Sequence, residues 1–183
     1  MVTGQKKGNA KQVVFLVMLL VIVVLAAGVF FASRKSSVKI IGRGDRAPDF
    51  RLTALDGTPM SLAQFRGKVV MVHFWATWCP PCVEELPTLA VLNSALAGKD
   101  FIMLAVSVDE GGASGVRVFL QKNGLVLPVL LDPTHETASS YGTFKFPETY
   151  ILDRNGIVRQ KVIGAMDWRD PAAIRMVNEL IGA

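Results

Sequence analysis

The chain has 183 residues, 51% of them apolar, and 20 Lys and Arg against 15 Asp and Glu give a net charge of +5. Six of the basic residues lie at or before Lys39, ahead of the first acid, so the chain from Arg43 onward carries 14 basic against 15 acidic groups and offers no basic face for nucleic acid. With only two cysteines, a multi-disulfide scaffold and a four-thiolate zinc site are both excluded.

A polar tail, residues 1–12, precedes a 20-residue run, 13–32, that lacks any charged side chain and is flanked by Lys11 and Arg34. That length is enough to cross a bilayer once as a helix. Ala26-Ala27-Gly28 could be cleaved as a signal peptide is, but the run exceeds the roughly 7–15 apolar residues of such peptides, which favours an uncleaved anchor. No cysteine follows the run to take a lipid. Lys6, Lys7 and Lys11 before it and Arg34, Lys35, Lys39, Arg43 and Arg46 after it leave its orientation unset by charge alone. Residues 33–46, with serines and glycines, read as a tether, and 47–183 as one domain.

Within that domain the pattern alternates between strand and helix. Short strands are expected at Phe50–Leu52 and near Met60, then a buried strand at Lys68–Trp75, a helix at Val83–Leu96 and a strand at Phe101–Val108. A helix near Gly115–Asn123 and a strand at Val129–Leu131 follow. The turn Asp153-Arg154-Asn155-Gly156 joins strands Thr149–Leu152 and Ile157–Ile163, and a helix at Pro171–Ile181 ends the chain. The order predicts an α/β fold.

The chemistry sits in Trp78-Cys79-Pro80-Pro81-Cys82, at the junction of a strand and a helix. Two thiols at this spacing can close a small ring and reopen it. Cys79 falls at the helix start, where free N–H groups and the positive helix end stabilise a thiolate, so it is the expected nucleophile and Cys82 the resolving thiol. Pro80 and Pro81 each remove an N–H that could donate to sulfur. Modest thiolate stabilisation predicts an electron donor rather than a strong oxidant.

Four stretches, Ala47–Phe50, Gly67–Cys82, Glu84–Pro87 and Phe146–Asp153, resemble the membrane-anchored thioredoxin-like TlpA/ResA/CcmG (DsbE) group, over roughly residues 47–165. The resemblance implies a thioredoxin-like mixed sheet flanked by helices, preceded here by a single N-terminal transmembrane helix. It implies a cis Pro147 facing the cysteines, with Trp78 and Phe146 giving apolar contact to substrate. It also matches Val106–Leu131 to the extra helix and strand of the group. His73 stands six residues before Cys79, where thioredoxin has a buried acid; it reads as a proton acceptor or as a core histidine. Glu84 and Glu85 favour the helix start, which alone could explain them, although one could also tune a cysteine; Glu148, beside Pro147, is the acid expected to affect the site. His135 reads as a solvated loop residue, and Trp75 as core or rim.

These expectations combine into an extracytoplasmic thiol:disulfide oxidoreductase. It would sit as a single-pass protein of the bacterial cytoplasmic membrane, with its catalytic domain on the periplasmic side. The substrates expected are disulfide-containing exported proteins, in particular the haem-site cysteines of apocytochrome c, and a membrane thiol reductase would supply electrons. No metal or cofactor is expected. A copper metallochaperone for cytochrome oxidase assembly is the alternative, disfavoured because such proteins space their cysteines by three and add a histidine. A peroxidase is disfavoured because the Pro-x-x-x-Thr-x-x-Cys pattern is absent.

Overall fold

The structure, a computed structural model, describes residues 6–33 and 39–182, with side chains described over 12–28 and 39–182. The chain forms two units, one carrying the N-terminal helix and the other Val38–Ala183. The first is α1, Lys6–Ser33, of 28 residues. Its described side chains, 12–28, are all exposed. The expected span 13–32 lies only partly in that stretch, as the tail and tether do in the described residues. Among the described residues no helix is long and apolar enough to cross a membrane.

The second unit is built on a seven-stranded sheet. Its strands are β1 (Arg51–Ala54), β2 (Pro59–Ser61), β3 (Val69–Trp75), β4 (Phe101–Ser107), β5 (Val129–Leu131), β6 (Glu148–Leu152) and β7 (Val158–Ile163). The order across the sheet is β2-β1-β5-β4-β3-β6-β7, so β3 lies inside with β4 parallel on one side and β6 antiparallel on the other. All seven residues of β3 are buried, which is why Val69-Val70-Met71-Val72 reads as a continuous apolar run rather than an alternating one. Helices α2 (Pro80–Ala95), α3 (Gly112–Lys122), α4 (Glu136–Ser140) and α5 (Pro171–Gly182) complete the unit, with a 3-10 turn at Leu62–Phe65.

α2 begins at Pro80, three residues before the expected Val83. A helix start tolerates both prolines because the N–H groups they lack would have no intrahelical partner there. The side chains of Cys82, Glu85, Leu86, Leu89 and Leu92 are buried along one face of α2. The largest buried side chains include Trp75, Trp168, Tyr141 and Tyr150, so Trp75 is core.

The β6–β7 connection is the expected turn: Asp153 Oδ1 accepts from the N–H of Asn155 at 2.9 Å and of Ile157 at 3.0 Å. Gly156 takes φ +74 where a side chain would run into the Arg66 guanidinium. Register fixes what matters for the site. Trp75 pairs with Ser107, and Phe74 with Glu148, so the C-terminal ends of β3 and β4 and the N-terminal end of β6 share one edge of the sheet.

Candidate active site at the start of helix α2

Residues 76–79 leave β3 at that edge and turn into α2. Cys79 and Cys82 are joined by a disulfide, their Cα atoms 5.3 Å apart. Cys79 is the N-cap of α2, and its sulfur accepts the Cys82 N–H at 3.3 Å. Pro80 and Pro81 have none to offer, and the Val83 N–H goes to the Cys79 carbonyl at 3.1 Å. One backbone donor therefore faces the Cys79 sulfur in the first turn. Cys79 keeps 5% of its surface accessible and Cys82 none, so an incoming sulfur meets Cys79 first.

Trp78 is 61% exposed beside the disulfide and meets Phe146 edge-on at 6.1 Å between ring centroids. That contact brings the segment ahead of β6 against the turn that carries the cysteines. The Phe146–Pro147 bond is cis. Phe146 also meets the His135 ring at 6.4 Å. His135 is thus half-buried at the site, not a solvated loop residue, and its Nε2 is buried without a partner. Its backbone is left-handed, with φ 58, at the entrance of α4.

The four expected tuning groups divide between core and surface. His73 is buried in β3 with Nδ1 2.9 Å from Thr149 Oγ1, and burial pushes its pKa down to about 3. It is neutral at physiological pH, which fits the hydrogen-bonded core role. Glu84 is exposed. Glu85, one turn beyond Cys82 on the buried face of α2, accepts from the Trp168 indole N–H and from Met166 N–H at 3.3 Å. Its other carboxylate oxygen has no partner, and burial pushes its pKa up to about 7. A cleft of about 280 Å³ borders Glu84, Glu85 and Thr88 on one side and Met166 and Arg169 on the other. Glu148 is buried in an ion pair with Lys161 at 2.7 Å and accepts from Tyr150 at 2.9 Å.

Sequence reasoning missed two participants. Trp168 closes over Glu85, and Asp109 binds the loop ahead of Cys79. Both act across long sequence separations, so no local spacing announces them. Among the described residues no group of three His, Cys, Asp or Glu gathers that could hold a metal ion.

The AhpC/TSA family profile matches residues 43–161. Thiol-disulfide oxidoreductase ResA of Geobacillus kaustophilus is 36% identical over 140 residues, covering 76% of this chain and 78% of that protein. Thioredoxin-like protein YneN of Bacillus subtilis is 38% identical over 128 residues, covering 69% and 74%. Among solved structures, a thiol:disulfide interchange protein of the thioredoxin family from Chlorobium tepidum aligns with a TM-score of 0.65 at 26% identity, over 77% of this chain and 99% of that one. The likeness covers the sheet and the cysteine-bearing turn alike, and the chain belongs to the AhpC/TSA family, in its TlpA/ResA/CcmG group of thioredoxin-like thiol-disulfide oxidoreductases.

Proposed function

We propose that the chain reduces disulfides in exported proteins, the haem-site cysteines of apocytochrome c among them, from the outer face of the bacterial cytoplasmic membrane. The observation that carries the reductant reading is the single N–H facing the Cys79 sulfur, a consequence of Pro80 and Pro81. A thiolate with few donors is less stabilised, so the dithiol gives up its electrons more readily. The uncharged run 13–32 supports an anchor, and an oxidising space suits a lone Cys-x-x-Cys pair.

In the reductive cycle the Cys79 thiolate attacks one sulfur of the substrate disulfide and releases the other as a thiolate, leaving a mixed disulfide on Cys79. Cys82 loses its proton and attacks the Cys79 sulfur, which frees the second substrate thiolate and closes the Cys79–Cys82 bond. Two electrons pass to the substrate, and two protons restore its thiols. Glu85 would act as the base that takes the Cys82 proton, a role supported by its position one turn along the same buried face, its unpartnered oxygen and its pKa of about 7, which suits exchange at neutral pH. Trp78 and Phe146 give the substrate chain an apolar edge beside Cys79. A membrane thiol reductase would return the pair to the dithiol.

The test uses a peptide bearing an oxidised Cys-x-x-Cys-His pair. The reduced wild-type chain should release the peptide as a dithiol, while Cys82→Ser should accumulate a mixed disulfide through Cys79. Absence of both products would sink the reading.

A further inference from the structure

The loop between β3 and the nucleophile is held by a side chain from the neighbouring strand. Asp109 follows the end of β4 and is buried. Its two carboxylate oxygens each lie 3.1 Å from the Thr77 N–H, and Oδ1 accepts the Thr77 hydroxyl at 2.5 Å. Oδ2 accepts the Ser107 hydroxyl at 2.7 Å. On either side of Thr77, Val108 N–H donates to Trp75 O at 3.0 Å and Cys79 N–H to Ala76 O at 3.3 Å. Asp109 thus fixes the midpoint of the segment that ends in Trp78 and Cys79.

Every partner of this carboxylate donates to it, and none is a cation. No ion pair among the described residues includes Asp109. The other buried acids near this edge are differently placed. Asp132 caps α4 through the N–H groups of Thr137 and Ala138, Glu148 pairs with Lys161, and Glu85 takes Trp168 and Met166. Glu110, next in sequence, is exposed to solvent. A buried carboxylate that pairs with no cation and binds Thr77, two residues before Cys79, disfavours a second negative charge on Cys79.

We propose that Asp109 is a positioning residue for Cys79: it locks the loop that sets the nucleophile and Trp78, and its uncompensated charge keeps the couple reducing. This deepens the reductant reading and rests on it. Asp109→Asn keeps the shape of the side chain and one acceptor oxygen but removes the charge. Against a glutathione buffer, the full chain with Asp109→Asn should favour the dithiol by roughly tenfold over wild type, which is about 30 mV for a two-electron couple. The Cys79 alkylation profile should shift to lower pH with it. A purely structural role would lower the melting temperature and leave both readouts in place.

Thr77→Val tests the lock separately, since it removes the hydroxyl donor and leaves the charge. It should raise KM for the disulfide peptide several-fold while the glutathione equilibrium stays at the wild-type value. A folded Asp109→Asn chain with wild-type equilibrium and alkylation profile would overturn the charge effect, and an unchanged KM in Thr77→Val would overturn the lock. The wild-type potential on its own tests the reductant reading, so the two failures are distinguishable.

Discussion

Glu85 shows how one residue of the site can be read in two ways until its surroundings are known. Its place after Cys82 suits a helix start that favours acids, but α2 begins at Pro80, which puts Glu85 beyond the first turn, and its carboxyl faces inward under Trp168. Because burial raises its pKa from 4.5 to about 7, the folded state binds the proton more tightly than the unfolded chain. Its contribution to stability is therefore fully present below about 4.5 and is lost as pH rises toward about 7. A shift of that size corresponds to about 3 kcal/mol at most. Glu85→Gln retains an acceptor for Trp168 and Met166 without the charge. At pH 8 the oxidised Glu85→Gln chain should melt several degrees above wild type, and the gap should close near pH 4.5; thermal melts across that range check it, and a pH-independent gap contradicts the assignment. The same residue scale marks the limit of the sequence. Cys79 and Cys82 announce themselves by spacing and Trp78 by its neighbours, whereas Asp109 meets Thr77 across 32 positions and leaves no periodic trace. His135 adopts a left-handed conformation that favours glycine, so nothing in its flanks separates it from a solvated loop residue.

At the scale of elements, the strands were legible down to the three residues of β5, Val129–Leu131, whereas the short helix α4 was not. β3 stands out because burial on both faces demands seven consecutive buried residues. α4 spans five residues, too few for a helical period to show, and depends on the Asp132 carboxylate for its first N–H groups. The start of α2 is the element boundary that bears on the proposed function, because its prolines decide how many donors reach the Cys79 sulfur. Pro81→Ala returns one N–H to the first turn. The thiolate should then be better stabilised, and the equilibrium with glutathione should move toward the dithiol by up to about tenfold, or roughly 30 mV. If the equilibrium stays at the wild-type value in a folded Pro81→Ala chain, the prolines are not what sets the potential.

For the whole molecule, the alternation of strand and helix gave the class, but the strand order β2-β1-β5-β4-β3-β6-β7 was not available from local pattern. Periodicity reports which face is buried, not which strand is the neighbour; the resemblance set Pro147 facing the cysteines, and the structure pairs β6 with β3. That pairing makes the site, since the cysteine turn leaves β3 and Phe146–Pro147 enters β6 at the same edge. The central claim is that this assembly donates electrons. The most direct test is the reduction potential of the Cys79–Cys82 pair in the full chain, equilibrated with glutathione or dithiothreitol buffers. A value well below roughly −200 mV is the predicted result, and a value near −120 mV, the range of strong oxidants, would contradict it.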